Sequence, residues 1–495
     1  MPIIGASRVR HRVHGSERSA VCRTRPRTRG RKTIGRMDDV GELLHRTADE
    51  ATAYLSGLAG RPVGESAGPA ALAGLLPDEL PAESLAADEV LDEVLAVAAD
   101  GIVATGSPRY FGFVIGGALP AAIAADWMAT VWDQNAGLYA GGPAAAVLEA
   151  TAGRWILDAL DLPRASSFAL VTGCQMAHVT CLAAARHRIL ADRGWDVELA
   201  GLSGAPRLRV LVGELSHVTV ARALRLLGVG SSAIGVVPVD HASRMGPDVL
   251  DAMLDGDAGP TIVCAQLGEV NTGAMDPVGA IIDVAHAAGA WVHIDGAFGL
   301  WARASTRHRH LTDGVERADS WATDAHKWLN VPYDCGVAIC AHPDDHHRAM
   351  AVHADYLTEP AAGRRDGIDW TPEFSRRARG TALYAALRFL GRDGIAALVD
   401  QCCAAARRFA VGLVDVGGAE VLNDCLLNQV LVRFGDDRRT TEIIDRLQRS
   451  GECWMSATAW DGGRAMRISV VNWRTTEADV DRSLAAIARA VNMTP

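Results

Sequence analysis

Between residues 140 and 345 short apolar runs alternate with helix-length amphipathic segments, and this alternation restricts the folds open to the chain. The predicted strands cover 208–213, 234–239, 261–266, 290–295, 320–324 and 335–340, and helices are predicted at 217–227 and 277–288. Strands joined through helices usually pair in parallel, because a crossover returns the chain to the same end of the sheet. The pattern therefore predicts an α/β fold with a mostly parallel sheet and helices on both faces.

The segments on either side of this region predict further helices and a second, smaller α+β unit. Helices are predicted at 38–60, 86–100 and 372–415, with an extended Pro/Gly/Ala-rich segment at 63–85. Residues 429–491 read strand, helix, strand, helix. We expect four parts: a disordered basic tail at 1–37, a helical arm at 38–110, a large domain at 111–370 and a small domain at 371–495.

Charge and cysteine content exclude several classes of protein. Residues 1–36 hold eleven basic residues and one acid, so the rest of the chain carries 38 basic against 58 acidic residues. An acidic body argues against nucleic-acid binding, and the longest apolar run, 111–125, is too short and too broken to span a membrane. The ten cysteines form no CxxC pair, which favours reduced thiols and a cytoplasmic location.

Lysine is almost absent from the chain. Only Lys32 and Lys327 occur among 49 basic residues, and Lys32 lies in the basic tail. Arginine can replace lysine where only charge is needed, but a guanidinium stays protonated and is a poor nucleophile. Lys327 is therefore either a leftover surface lysine or a lysine that forms a Schiff base.

Nucleotide-binding and zinc-protease motifs are not found. The sequence contains neither a GxxxxGK[ST] nor an HExxH pattern. His342, His346 and His347 stand among Pro343 and two aspartates, which favours a solvated turn over a metal site. We expect no metal.

Four segments carry candidate functional groups. Asp295 ends the strand 290–295, where ligands of open α/β sheets bind, although a structural ion pair would also explain it. Lys327 follows 32 residues after Asp295. A carboxylate that holds the ring nitrogen and an amine that binds the aldehyde are the two groups that pyridoxal phosphate most needs from a protein. The turn 171–175 opens a helix whose free N–H groups would hold a phosphate. His217 follows a strand and would either stack on a cofactor or cap a helix.

Together these segments resemble the pyridoxal-phosphate-dependent group II amino-acid decarboxylases, over roughly residues 85–490. The matching stretches are Ser107-Pro-Arg-Tyr-Phe-Gly-Phe113, Pro143 with Glu149, 171–186, His217, His293-Ile-Asp295-Gly-Ala297 and Asp319-Ser-Trp-Ala-Thr-Asp-Ala-His326-Lys327-Trp328. The resemblance implies fold type I, pyridoxal 5'-phosphate as cofactor and a homodimer with active sites at the subunit interface. It also implies decarboxylation of an L-amino acid to amine and carbon dioxide through a Schiff base on Lys327.

The resemblance assigns roles to individual residues. Lys327 resembles the Schiff-base lysine, Asp295 the partner of the ring nitrogen, Ala297 and His217 the residues on the two ring faces, and His326 a neighbour of the phosphate. The phosphate turn would comprise Thr172, Gly173, Cys174 and Gln175, with Asn271 as a further polar neighbour. Arg467 resembles an arginine that meets the substrate carboxylate, and Tyr356 a loop tyrosine that protonates Cα. Tyr110 and Phe113 would form an aromatic entrance for a bulky side chain, although Arg109 beside them would equally suit an acidic one.

One departure from the family pattern concerns charge. Asp324 stands where an asparagine is often found, and its carboxylate would repel a phosphate, so we expect it to point elsewhere or to pair with an arginine. Two alternatives use the same cofactor: an aldehyde-forming decarboxylase-oxidase, against which Tyr356 argues, and a transaminase. A third is a cofactor-free α/β binding protein, against which the retention of both Asp295 and Lys327 argues.

Overall fold

The computed structural model of the protein describes residues 37–65, 67–256, 259–352 and 363–493. The predicted basic tail thus lies outside the described residues, apart from Met37, and so does Tyr356. The described chain begins with the helices α1 (Met37–Gly57), α2 (Pro69–Ala73) and α3 (Ala87–Gly101). The two long helices confirm the predictions for this arm, whereas the segment predicted as extended contains the short α2.

A seven-stranded sheet organises the large part of the chain. Its strands are β2 (Ser167–Val171), β3 (Arg209–Gly213), β4 (Ile234–Val237), β5 (Thr261–Gln266), β6 (Trp291–Asp295), β7 (Ser320–Asp324) and β8 (Gly336–Cys340), in the order β2-β8-β7-β6-β5-β3-β4. The pairs from β7 to β4 are parallel, and β8 is antiparallel to both β2 and β7. The predicted mostly parallel sheet is confirmed; β8 runs the other way because the link from β7 is too short for a crossover.

Helices cover both faces of this sheet, as predicted. The helices of this part of the chain are α4 (Pro120–Trp132), α5 (Pro143–Ala159), α6 (Cys174–Ala191), α7 (Val197–Ala200), α8 (Val218–Leu226), α9 (Pro247–Leu254), α10 (Val278–Ala287) and α11 (Pro343–Met350). Alternate residues of one strand enter different cores: Val263 packs with α9 and α10, whereas Ile262 and Cys264 pack with α6 and α8. This alternation is the two-residue period of a strand that is buried on both faces.

The C-terminal part forms a second sheet. It contains β9 (Ala419–Val421), β10 (Gln429–Phe434), β11 (Trp454–Trp460), β12 (Gly463–Ser469) and the helices α12 (Gly380–Val414), α13 (Asp437–Ser450) and α14 (Glu477–Asn492). The strand β1 (Tyr110–Phe111) pairs in parallel with β11 and thereby joins this sheet. β9 and β11 were not predicted, and the predicted domain boundaries stay a prediction.

The long helix α12 differs from its prediction at its start and in its middle. The helix begins at Gly380 rather than at 372, because residues 371–375 form bends and Arg377 makes a β-bridge to Asn135. At Gly391 the backbone has φ +61° and ψ −176°, which separates two helical segments. Glycine reaches a positive φ without a Cβ clash, so the break falls where the chain can adopt it. None of the described helices is both long enough and apolar enough to cross a membrane.

Candidate active site

A cavity of about 290 Å³ lies where the carboxyl ends of β5, β6 and β7 meet the N-termini of α6 and α8. Its volume is just below the range of about 300–1,000 Å³ that is typical of small-molecule pockets. The structure brings these predicted site residues together around it: Gly173, Cys174, Gln175, His217, Asp295, Ala297, His326 and Lys327. The topology explains their meeting, since parallel strands direct their carboxyl ends to one edge of the sheet.

Lys327 lies three residues beyond the end of β7, and its amine faces Asp324. The Nζ atom is 3.0 Å from Oδ2 of Asp324. Burial would lower the pKa of Lys327, but the Asp324 carboxylate, with smaller contributions from Cys174 and Asp295, outweighs burial and raises it. The amine is therefore held protonated in this arrangement.

The position of Asp324 contradicts the prediction made for this residue. It neither turns away nor pairs with an arginine: Oδ1 accepts the N–H of Cys174 at 2.6 Å, and Oδ2 pairs with Lys327. As the last residue of β7 it faces the N-terminus of α6, whose free N–H groups and positive dipole end attract a carboxylate. Asp324 thus lies at the turn that was predicted to bind phosphate.

Asp295 ends β6 and is 4% exposed. Its Oδ1 accepts the N–H of Ala297 at 3.2 Å and lies 3.9 Å from Sγ of Cys174, and its Oδ2 is 3.6 Å from Nε2 of His178. His178 was not predicted. It stands four residues after Cys174 on α6, so helical spacing alone puts both side chains on one face and would have indicated it.

His217 caps a helix, which was one of its two predicted roles, and it also lines the cavity. Its ring lines the cavity together with Ala297, and its Nδ1 also caps α8, 2.7 Å from Oγ1 and 3.4 Å from the N–H of Thr219. An Nδ1 that accepts from the helix leaves the ring proton on Nε2. Burial lowers the pKa of His217, so the ring is neutral at neutral pH and offers a flat, uncharged face.

His326 is held by contacts on both of its nitrogens. Nδ1 accepts the N–H of Cys335 at 3.1 Å, Nε2 is 3.4 Å from Oδ1 of Asp324, and the ring stacks on Tyr333 with centroids 4.4 Å apart. Burial lowers its pKa, which keeps the imidazole neutral. Its Nε2–H consequently points into the group formed by Asp324 and the α6 turn.

The turn before α6 is shaped by close backbone contact. A Cβ on Gly336 would lie 2.4 Å from the carbonyl carbon of Gly173, so β8 can pass beside the turn only with glycine there. Gln175 donates from Nε2 to the carbonyl of Thr219 at 3.2 Å, and its Oε1 is buried without a hydrogen-bond partner among the described residues. Thr172 is not among the residues that line the cavity.

Asn271 and Arg467 lie beside the cavity rather than in its lining. Asn271 donates to Oε1 of Glu269 at 2.8 Å, and its Oδ1 accepts from Thr458 at 2.9 Å and from Arg467 at 3.4 Å. Burial lowers the pKa of Arg467, although Glu269 opposes this. Nε of Arg467 is buried without a partner among the described residues. The roles assigned to both residues stay predictions.

Tyr110 and Phe113 lie at a different cavity from Lys327. Both contact Trp454, with ring centroids 5.0 Å away in each case, and Phe113 is 56% exposed. Arg109, the suggested partner for an acidic substrate, is buried and donates to the carbonyls of Ala59, Arg61 and Glu452. Its guanidinium holds the arm to the small domain, so that suggestion is wrong.

Two groups of side chains contain residue types that can bind metals. The segment 342–347, expected as a solvated turn, instead starts helix α11, and His346 is buried between Ser167 and the carbonyl of Trp370. Cys174, His178 and Asp295 have ligand atoms within 4.8 Å of one another. Two of these three also line the cavity at Lys327, so this group belongs to the site already described.

Sequence reasoning missed part of the lining. Besides Asp324, the additional lining residues are Thr219, Gln266, Gly268, Val270 and Phe298. Gln266 ends β5 and would have been found by the rule that located Asp295. The others lie in loops or at a helix start, where residue type alone carries no comparable signal.

The site has the groups that pyridoxal phosphate needs. Lys327 supplies an amine for the aldehyde, Asp295 a carboxylate for the ring nitrogen, and the start of α6 an anion-binding turn, all around one cavity. His217 and the small Ala297 line the same cavity, which leaves space for a flat ring. Fold and site together define a pyridoxal-phosphate enzyme with an α/β large domain.

Comparisons with known proteins identify the family. The pyridoxal-dependent decarboxylase conserved domain matches residues 69–434. Tryptophan decarboxylase 1 of Oryza sativa subsp. japonica is 30% identical over 472 residues, covering 88% of this chain and 90% of that protein. Phenylacetaldehyde synthase of Arabidopsis thaliana is 25% identical over 456 residues, covering 88% and 92%. The chain belongs to the pyridoxal-dependent decarboxylase family.

The solved structures agree. The crystal structure of Oryza sativa TDC with PLP and tryptamine superposes with a TM-score of 0.86 at 26% identity, covering 93% of this chain and 99% of that one. The resemblance seen in the sequence, the type I fold and the cofactor are therefore confirmed. The protein is an enzyme that decarboxylates an amino acid with pyridoxal phosphate, and the alternatives are not favoured.

Proposed function

We propose that this enzyme converts an aromatic L-amino acid to the corresponding arylalkylamine and carbon dioxide. The observation that carries the proposal is the composition of the lining: Lys327 is the only lysine or arginine in the described wall of the cavity, which also contains Phe298 and Val270. An acidic side chain would require a further cation there, whereas an aromatic one requires apolar surface. The similarity to tryptophan decarboxylase 1 supports the same choice.

The substrate class is tested by measuring carbon dioxide release and amine formation. Tryptophan, tyrosine, phenylalanine and DOPA are compared with glutamate, aspartate, histidine, ornithine and diaminobutyrate. We expect turnover with at least one aromatic substrate to exceed that with glutamate by two orders of magnitude or more. Preferential turnover of glutamate or diaminobutyrate would refute the proposal.

The proposed mechanism assigns each step to residues of this chain. When bound, pyridoxal phosphate supplies an electron-poor ring that accepts the electron pair left on Cα as carbon dioxide departs. Lys327 would hold the cofactor, give way to the substrate amine and return to release the product. Asp295 would stabilise the proton on the ring nitrogen, and the neutral imidazole of His217 would lie against the ring.

Two residues outside the cavity lining have proposed roles in substrate binding and protonation. Arg467, on β12, would bind the substrate carboxylate, since its buried Nε has no hydrogen-bond partner among the described residues and is free to donate. Tyr356, which lies outside the described residues, would deliver a proton to Cα and so favour amine over aldehyde. Exclusion of water from Lys327 is expected to accompany that step.

We further propose that two copies form a homodimer through the exposed face of α4. Four large apolar side chains of this helix are 41–59% exposed: Trp127, Met128, Val131 and Trp132. Such a contiguous apolar face is typical of an interaction surface. A dimer would also explain the positions of Tyr110 and Phe113, which do not reach Lys327 of their own chain. In a dimer, these two side chains would line the cavity of the partner subunit.

Sedimentation velocity tests the dimer. Trp132→Glu is expected to shift the protein toward monomer, whereas Val414→Glu, at a 76% exposed position of α12, should leave the mass unchanged. A monomeric wild-type enzyme with full activity would refute the proposal.

We also propose a cytoplasmic location. The nine cysteines of the described ranges are free and buried, which suits a reducing compartment. Cell fractionation of the native host provides the test, and recovery of the enzyme in a secreted or membrane fraction would contradict it.

A further inference from the structure

A chain of buried polar side chains leads from Asp295 into the interior of the large sheet. Oδ2 of Asp295 is 3.6 Å from Nε2 of His178, Nδ1 of His178 is 2.9 Å from Nε2 of His293, and Nδ1 of His293 is 2.9 Å from Oγ of Ser320. His178, His293 and Ser320 have no solvent exposure. Of the four, Asp295 alone lines the cavity, so the other three act through it or not at all.

The chain has two possible directions of hydrogen bonding. Nε1–H of Trp291 donates to Oγ of Ser320 at 3.0 Å, and an indole can only donate. The Ser320 oxygen keeps a second lone pair and its own hydrogen, so it can either donate to Nδ1 of His293 or accept from it. If Ser320 donates, His293 donates from Nε2 to Nδ1 of His178, and His178 carries its proton on Nε2, the nitrogen nearest Asp295.

The opposite direction is electrostatically unfavourable. It would place the lone pair of His178 Nε2 3.6 Å from a carboxylate oxygen, with no positive charge between them. Burial lowers the pKa of His178, although Asp295 and Asp324 oppose this, and it lowers the pKa of His293 well below its usual value. Both rings are consequently neutral, and the group that faces Asp295 is an uncharged N–H donor.

We propose that His178 is a positioning residue for the reaction: its Nε2–H, oriented through His293 and Ser320, holds the carboxylate of Asp295 in the orientation that faces the ring nitrogen of the cofactor. The inference rests on the proposed role of Asp295. A buried carboxylate needs hydrogen-bond donors around it. Among the described residues, Ala297 donates its N–H to Oδ1, and the N–H that approaches Oδ2 is that of His178, whose Nε2 is also 3.5 Å from Sγ of Cys174.

The test measures cofactor binding rather than turnover. Full-length enzyme is stripped of cofactor, and dissociation constants are determined for pyridoxal phosphate and for its 1-deaza analogue, in which C–H replaces the ring nitrogen. Wild-type protein is expected to prefer the natural cofactor. His178→Leu, which removes the donor at similar volume, is expected to reduce that preference about threefold to tenfold, because the 3.6 Å separation is longer than a normal hydrogen bond and makes the contact a weak one. His178→Gln, which returns an amide N–H near the position of Nε2, should recover most of it.

A second buried histidine supplies the matched control. His346 is also buried, with bonds to Ser167 and to the carbonyl of Trp370, but it lies away from the cavity lining. His346→Leu should lower stability and leave the preference for the ring nitrogen unchanged. An equal loss of preference in His346→Leu and His178→Leu would overturn the inference, since a general loss of packing would then explain both.

Asp295→Asn separates failure of the inference from failure of the proposed role on which it rests. If Asp295→Asn abolishes the preference and His178→Leu leaves it at the wild-type value, the inference is wrong and the role of Asp295 stands. If Asp295→Asn itself leaves the preference unchanged, both are wrong. Should His178→Leu fail to fold, Ser320→Ala decides: we expect a loss of at least threefold there, and a wild-type preference in that folded variant overturns the proposal.

Discussion

The buried pair Glu149–Arg376 is expected to dominate the stability of the region around the α6 turn. Nη2 of Arg376 is 2.7 Å from Oε1 of Glu149, with the two side chains 1% and 4% exposed. Arg376 also donates from Nη1 to the carbonyl of Leu170 at 3.2 Å, in the strand that leads into Gly173. Breaking the pair would therefore disturb both the packing of α5 and the position of the turn.

The expected magnitude follows from the burial of the pair. At 2.7 Å and an effective dielectric constant of about 20, the attraction between the two charges is about 6 kcal/mol, from which desolvation must be subtracted. Removing one partner leaves a buried, uncompensated charge, which costs about 3–5 kcal/mol. Glu149→Gln is expected to lower the free energy of unfolding by this amount, because the remaining Arg376 keeps its desolvation penalty and loses its counter-charge.

A double-mutant cycle in urea provides the assay. Glu149→Gln, Arg376→Gln and the double variant are unfolded with cofactor bound, and circular dichroism and tryptophan fluorescence must report coincident transitions for the free energies to be valid. We expect a coupling energy of about 2–3 kcal/mol. The exposed pair Arg408–Asp481 is the control, and Asp481→Asn should leave the midpoint almost unchanged. A coupling energy below about 0.5 kcal/mol for the buried pair would refute the reasoning.

Four further outcomes are expected. Lys327→Arg should fold normally by circular dichroism and lose turnover by several orders of magnitude, because charge is retained without a nucleophilic amine; near-normal carbon dioxide release would contradict this. Asp324→Asn removes the carboxylate that raises the pKa of Lys327. The pH profile of cofactor binding by enzyme stripped of cofactor should therefore move to lower pH. An unchanged profile would argue against the pairing of Asp324 with Lys327. Burial opposes ionisation of Asp319, but bonds from His342 and the Val292 N–H hold its pKa below the usual value. Asp319 therefore contributes to the free energy of unfolding at pH values above its unfolded-state pKa of about 3.9. This contribution is lost as the pH falls through the pKa of Asp319 in the folded state. Asp319→Asn should thus be less stable than wild type at pH 7, with a difference that shrinks in acid; a gap independent of pH would exclude this linkage. The Tyr356→Phe variant should convert substrate, water and dioxygen to aldehyde, carbon dioxide, ammonia and hydrogen peroxide. Product analysis showing amine alone would leave the tyrosine without a catalytic role.

Local sequence patterns were sufficient to locate the elements that form the site. The apolar runs that end at Asp295 and Asp324 are strands with the predicted ends, and the helix after Gly173 begins where its turn suggested. These features depend on periodicity and on the position of polar residues at strand ends, which are properties of short stretches of chain. The scarcity of lysine singled out Lys327 without any structural information.

Contacts between distant segments could be decided only by the tertiary structure. Cys174 and Asp324 are 150 residues apart, and their hydrogen bond depends on β8 passing Gly173 closely enough to bring the end of β7 to the start of α6. For the same reason Arg109 proved to be a buried link between the arm and the small domain, and Tyr110 and Phe113 lie beside Trp454 rather than Lys327. Sequence alone determined which chemical groups this protein carries and on which elements they stand. The packing of the sheet determined which of those groups meet, because side-chain contacts across more than a hundred residues have no local pattern from which they could be inferred.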